Sequence, residues 1–429
     1  MRLSFPSSVQ RVALRFLAGS SLTHIASILL VFIPIRVFLS LREFTPSGDG
    51  HVVAGYGLGQ FWLGEITWTE LMSSPAGDFV AYRTNQLLYP VLISLQGPIG
   101  WSLETHLIVL NTVLGSTLIV GSYFTALRLW NKNYAVLVAL LMCSLTSLYW
   151  IARWGVPDNL FYAMLPLFGL SVINWHQKKT RKRLTVMLVG FVAFAFTRPE
   201  AVLVILAVTS VLAWDFLRRY RSKRFLIGGL FLAIVTVSTA TAIMLSSSPL
   251  LQRSLLTRGH IAWGLSMSSR SLLNEGAEEF NRITTYYQRV QNEASLDGYD
   301  LWYLMSRDSI EVIRQDPLWY VLKIPLRGLA LLYPWTYQPW SPAHVLYEAV
   351  YTMFIMTGLV LLIRRGSAQM PLLVLGAIPF AIWLFLSVYG IDNDLKHRNG
   401  FLVGLNLIAP LGFFLAPRSQ RIGQESNSA

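Results

Sequence analysis

The chain has 429 residues, 54% of them hydrophobic and only 13% charged, with a net charge of +13 and a mean hydropathy of +0.49. Soluble domains carry about 25% charged residues, so an ordinary soluble enzyme is excluded. The single cysteine, Cys143, excludes an internal disulfide framework and a thiolate metal cluster, and it reads as an apolar filler. Apolar runs of the roughly 20 residues needed to span a bilayer recur along the chain and predict an all-α polytopic membrane protein.

The pattern predicts about ten transmembrane helices in one domain, 1–429, with both termini in the cytoplasm. The first crossing, 16–41, follows Arg2, Arg11 and Arg15. It is too long for a cleaved signal and lacks a small-residue cleavage site, so it reads as a retained anchor. Arg36 near its outer end reads as a snorkelling side chain. An outer loop, 42–103, comes next, and it ends in a short apolar piece, 87–100, broken by Gly97-Pro98-Ile99-Gly100. That piece is too short to cross and is expected to be re-entrant or interfacial.

Further crossings are predicted at 104–128, 134–152, 158–175, 184–197, 201–217 and 225–246. The connection ARWGVPDN joins the third and fourth, and Thr197-Arg198-Pro199-Glu200 turns the fifth into the sixth. A second outer segment, 247–343, precedes the last three crossings at 344–363, 370–389 and 399–416. Within it, Phe280, Ile283, Tyr287 and Val290 share one helical face, and LWYVLKIPLRGLALLYPW reads as a helix lying along the membrane.

This topology gathers more than half of the 35 Lys and Arg into cytoplasmic loops, where Asp215 and Glu425 are the only acidic company. The basic excess is therefore a positive-inside signal rather than a nucleic-acid footprint. It leaves the middles of the crossings almost free of charge, unlike transporters and proton pumps, which place ionisable groups at the midplane. Chemistry is pushed to the outer surface.

The candidate residues lie there. Asp49, in the Gly-flanked turn SGDG, has the chemistry of a general base for an acceptor hydroxyl. Arg83, Arg198 and Arg398 offer guanidinium forks that fit phosphate oxygens. His51, two residues from Asp49, reads as a solvated loop histidine able to share its site, and His397 beside Arg398 as an assistant on phosphate. The histidines show no metal-ligand spacing, and no cofactor is expected from them; Asp392 and Asp394 form a DxD-like pair in a short turn, where a divalent ion stays an open alternative without further support. Gly55, Gly57 and Gly59 in GYGLG follow no strand and are not a nucleotide fingerprint. With no phosphate-cradling loop, an activated sugar would arrive on a lipid.

Four stretches resemble the GT-C superfamily of integral-membrane glycosyltransferases. They are Asp49 with the following Tyr56, RTNQLLYPVLISL with Arg83 and Tyr89, FAFTRPEAVLVIL with Arg198, and IRQDPLWYVLKIPLRGLALL. The resemblance implies transfer from a polyprenyl-phosphate sugar to a hydroxyl on a glycan, lipid or protein, with Asp49 as the base and Arg83 and Arg198 near the donor phosphate. It implies a site on the outer face of a plasma membrane of prokaryotic type, among membrane lipids and without nucleic acid. The chain departs from the family in having one Asp between glycines where relatives carry a paired acidic motif, and His397-Arg398-Asn399 where they carry Arg-Tyr. Two other readings stand beside it. One is an O-antigen-type ligase or polymerase relying on Arg253, Arg258 or His260, and the other is a lipid-linked sugar flippase.

Overall fold

The computed structural model describes residues 17–43, 50–77, 86–151, 155–219, 266, 276–295, 298–331, 342–365, 369–389 and 395–415. Among these residues every element is helical and no strand occurs. Four helical stretches are long and apolar enough to cross a membrane: Ser21–Arg42, Leu103–Leu129, Val345–Arg365 and Met370–Ser387. The chain is thus a helical protein of membrane type, built as two compact units. One unit is Met1–Val202 with Phe354–Gly376 and Leu402–Ala429, and the other is Leu203–Met353 with Ala377–Phe401.

In the first unit, α1 (Ser21–Glu43) begins where the Ser20 hydroxyl accepts from the Thr23 amide at 3.2 Å, satisfying one orphan donor. Leu22, Leu30 and Leu41 are exposed on one side of it, while Phe32 and Arg36 are buried on the other. The segment expected as an outer loop is largely helical: α2 (Gly50–Trp62), α3 (Trp68–Met72), α4 (Leu88–Ser94) and α5 (Gln96–Ile99). The glycines of GYGLG explain how α2 and α4 approach so closely. A Cβ at Gly55 would stand 2.6 Å from Ile93 Cβ, and one at Gly59 would stand 3.1 Å from the Ser94 carbonyl. Small residues four apart on one helix face are a device of membrane helix packing.

The central helix is α6 (Leu103–Leu129), capped by the Ser102 hydroxyl on Thr105 N. It packs against α1, α4, α7 (Lys132–Ser144) and α9 (Asp158–Gln177). Val52, Tyr89, Ile93, Leu107, Leu114, Leu160 and Ala163 form the core where these helices meet. The third predicted crossing is not continuous: α7 ends at Ser144 and α8 (Thr146–Ile151) follows an extended Leu145. The Tyr149 hydroxyl donates to the Cys143 carbonyl at 2.8 Å, meeting a group that the break frees. Next comes α10 (Arg181–Ala195), which lies on α9 through stacked Phe161, Phe168 and Phe194. α11 (Pro199–Arg219) starts just beyond the Thr197-Arg198 turn.

The second unit contains α12 (Gly276–Ala294) and α13 (Gly298–Gln315), whose shared core is Ile283, Tyr287, Leu301 and Met305. The helical face read from the sequence supplies the first two of these. α14 (Pro317–Ala330) starts at an Asp-Pro pair for a physical reason. Asp316 Oδ1 accepts from Trp319 N at 3.0 Å, and Pro317 lacks the amide that a first helical residue leaves unpaired. Leu318, Val321, Leu322 and Leu329 are exposed on α14, while Lys323 and Arg327 are buried. Burial, together with Arg327's charge, holds the Lys323 amine below the usual lysine range.

Two helices then run on, α15 (Pro342–Arg365) and α16 (Met370–Tyr389). The last predicted crossing, 399–416, is also broken. α17 (Leu395–Asn406) stops and α18 (Leu411–Phe414) restarts beyond Pro410, which cannot donate an amide to a continuing helix. The Leu407 carbonyl freed there accepts from the Tyr134 hydroxyl at 2.6 Å.

Candidate functional site

Asp49 and Arg83 lie outside the described residues, as do the side chain of His397 and the pair Asp392 and Asp394. The described part of the site is built from their neighbours. Helix α2 begins at Gly50, one residue past Asp49, so His51 falls in its first turn. It is not a solvated loop histidine: it is buried, with Nε2 2.6 Å from the accepting Gln86 Oε1. Its ring stands edge-on to Tyr89 at 6.5 Å. The Tyr89 hydroxyl continues inward and donates to Asn111 Oδ1 on α6 at 3.1 Å. Tyr56, on the same helix as His51, is nearly half exposed and stands outside this group.

The start of α2 also abuts the connection into α9. A Cβ at Gly155 would stand 2.5 Å from Val52 Cγ2, so only glycine fits that approach. Three residues later Asp158 opens α9, where it is buried and paired with Arg198. Arg198 also reaches Glu200, with Nη2 at 2.7 Å from Oε1 and Nε at 3.0 Å from Oε2. The Tyr162 hydroxyl donates to Asp158 at 3.4 Å, and the Phe161 ring lies 6.0 Å from the guanidinium. Burial opposes the charged form of Arg198, but the Asp158 and Glu200 carboxylates outweigh it and hold the guanidinium more firmly protonated than usual.

Arg198 thus enters the structure with its charge already met by two carboxylates. Among the described residues the guanidinium therefore lies between two carboxylates. Asp158 and Glu200 were not singled out from the sequence. The available signal was an acidic residue directly ahead of or behind an apolar run, in PDN and in RPE.

Arg36 departs most from its sequence reading. It is not a snorkeller: the side chain is 1% exposed and turned into the bundle. Nη1 donates to the Leu148 carbonyl at 3.2 Å and Nη2 to Asn159 Oδ1 at 3.1 Å, with Phe32 beneath at 5.5 Å. No carboxylate pairs with it among the described residues, and its buried Nε has no acceptor there.

An apolar groove of about 520 Å³ runs between α4 and α10, lined by Leu87, Leu88, Val91, Val189, Val192 and Phe196. The Leu88 amide donates to the Phe196 carbonyl at 3.4 Å, joining the two helices one residue before the Thr197-Arg198 turn.

Arg398 belongs to the second unit. It is buried and fully engaged there, with Nε on the Leu331 carbonyl at 2.9 Å, Nη1 on Glu348 at 3.0 Å and Nη2 on Thr352 at 3.3 Å. Among the described residues no group of three or more His, Cys, Asp or Glu side chains is arranged to hold a metal ion.

Three of the four stretches that carry the family resemblance therefore meet in one unit. The segment after Asp49, the segment after Arg83 and the Arg198 turn are joined by His51 with Gln86 and Tyr89, and by Leu88 with Phe196. Comparison of the sequence with protein-family models and with curated proteins found no match to either.

Proposed function

We propose that this protein is an inverting glycosyltransferase of the membrane, with about ten crossings, moving a sugar from a polyprenyl-phosphate donor to a hydroxyl acceptor on the outer face. The observation that carries the reading is the convergence just described. Stretches near residues 50, 86 and 198, far apart in sequence, come together through the buried His51–Gln86 hydrogen bond, the His51–Tyr89 ring contact and the Leu88–Phe196 backbone bond. Buried polar contacts of this kind are costly to build and are expected where a site must be held in place.

In this reading Asp49 takes the proton of the acceptor hydroxyl as that oxygen attacks the anomeric carbon. The bond from that carbon to the lipid phosphate breaks, and the phosphate leaves with the electron pair. A phosphate needs no proton to leave, so a single base suffices. Arg83 meets the growing charge of the leaving phosphate. The Asp158–Arg198–Glu200 group forms a rigid wall of the site rather than a second phosphate clamp, and the apolar groove along α4 and α10 accommodates the isoprenoid chain. His51 and Tyr89 tie the start of α2, and with it the residue after Asp49, to that wall.

The test is transfer from a polyprenyl-phosphate hexose or pentose to an alcohol acceptor by membranes containing the protein. Asp49→Asn is expected to fold and to lose transfer by at least 100-fold, the scale of general-base catalysis. Full transfer by a folded Asp49→Asn variant would overturn the assignment.

A further inference from the structure

Arg36 has no role in the reading above, yet it is among the most completely buried side chains described. We infer that Arg36 is a positioning residue for the Asp158–Arg198–Glu200 group, acting through Asn159; as a statement about transfer, this rests on the function proposed above.

The argument begins with the first turn of α9. A helix start leaves orphan amides that a side chain ordinarily caps. Here the preceding residue is Pro157, which makes no side-chain cap bond. Asp158 and Asn159 are the first two residues of that turn, and successive helical residues point roughly 100° apart. One therefore faces Arg198 and the other faces away from it, toward α1. The Asn159 amide uses both of its ends: Oδ1 accepts from Arg36 at 3.1 Å and Nδ2 donates to the Ile151 carbonyl at 3.1 Å. Arg36 with its other nitrogen holds the Leu148 carbonyl at 3.2 Å. Arg36 and Asn159 together thus tie α1 and the end of α8 to the turn that carries Asp158.

Two further observations show that the side chain has a reserved place. A Cβ at Gly115 on α6 would stand 2.7 Å from Arg36 Cζ and 2.8 Å from Nη1, so the glycine leaves room for the guanidinium. The acceptors are a carbonyl and an amide oxygen, and no described carboxylate competes for the cation. That choice of partners is what leaves Asp158 to Arg198. A carboxylate in place of Asn159 would pair with Arg36 directly and add negative charge beside Asp158.

The test is a double-variant cycle read by thermal unfolding of the full chain in detergent, so that it does not depend on activity. Arg36→Lys keeps the charge but cannot serve two acceptors with one fork. Glu200→Gln removes one carboxylate from the Arg198 group and leaves the Asp158–Arg198 pair in place, so it is milder than changing Arg198 itself. If Arg36 sets the position of the group, the loss of Tm in the double variant falls short of the sum of the single losses. Arg36→Lys with Thr67→Ala, at the separate cap of α3, gives additive losses as the control. Additive losses in both cycles would overturn the inference.

The second readout is kinetic. Arg36→Lys is expected to lower kcat on the order of 10- to 100-fold with the donor KM little changed, the signature of a misplaced group rather than of lost binding. An unchanged kcat in a folded Arg36→Lys variant counts against a positioning role in transfer. Should the unaltered protein show no transfer while the Tm cycle shows coupling, the proposed function fails and the positioning of Asp158 stands.

Discussion

Arg36 and Arg198 are the same side chain, both buried in the same unit, and their surroundings are opposite. Arg198 lies between two carboxylates, Asp158 and Glu200. Arg36 meets a carbonyl, an amide oxygen and an aromatic ring, and no carboxylate among the described residues pairs with it. A buried cation with carboxylates is electrically settled, so its task is to hold those carboxylates in place. A buried cation on neutral oxygens keeps its field, and it can orient polar groups without neutralising an acid. The pair shows that burial of an arginine says little about its role until its acceptors are known. Arg398, paired with Glu348 in the other unit, follows the Arg198 pattern.

The contrast can be broken in several ways. The largest effect is expected for Arg198→Gln, which takes the guanidinium away from two buried carboxylates. Removing one partner of a buried pair costs about 3–5 kcal/mol, and this variant belongs at the upper end, read as the loss of Tm or of folded yield in detergent. Arg398→Gln takes the cation from one buried carboxylate, Glu348, and is expected at the lower end of that range, about 3 kcal/mol. The paired change Arg398→Gln with Glu348→Gln restores most of the loss. A double variant no more stable than Arg398→Gln would show that the pair is not the reason for the burial.

Gly115→Ala is expected to cost about 1–3 kcal/mol by overpacking, because the added methyl meets the Arg36 guanidinium. In an Arg36→Ala background the same change becomes nearly neutral, and thermal unfolding of the four combinations measures the difference. The smallest effect concerns an exposed carboxylate. The Glu70 side chain accepts from the Thr67 amide at 2.6 Å, closing a capping box at the start of α3. That bond holds its carboxyl below the ordinary value of 4.5, with the Thr67 amide as the main cause. A carboxyl whose pKa is lowered by folding stabilises the fold above its unfolded value, and this contribution is lost as pH falls through the folded value. Amide exchange at residues 67–72 should therefore quicken below about pH 4.5 relative to the chemical rate, and Thr67→Ala should abolish that step.

Much of the architecture was legible in advance because membrane crossing is a one-dimensional property. A run of apolar residues long enough to span the bilayer marks itself, and the four long apolar helices fall where such runs were read. The amphipathic face of α12 was legible for the same reason, since Ile283 and Tyr287 recur at helical spacing. The breaks at Leu145 and between α17 and α18 were not legible, because hydrophobicity does not report where a helix stops. Whether a helix can stop inside an apolar run depends on a distant hydroxyl, such as that of Tyr134 on the Leu407 carbonyl, to satisfy the freed backbone group. GYGLG could be denied a nucleotide role from its context, but its close packing with Ile93 and Ser94 required the neighbouring helix.

The candidate site divides along the same line. By itself the sequence determined that the protein is helical and apolar, that its basic residues cluster between apolar runs, and which polar residues stand next to those runs. These are properties of composition and local order, and they need no neighbour distant in the chain. Only the tertiary structure decided which of those polar residues are already occupied. Arg198 and Arg398 read alike as free cations, and both proved to be paired with carboxylates. Arg36 read as a side chain reaching for water, and it proved to reach Leu148 and Asn159, more than a hundred positions along the chain. The reason is physical: the charge of a side chain is written in its own residue type, but its partner in a low-dielectric interior is chosen by packing.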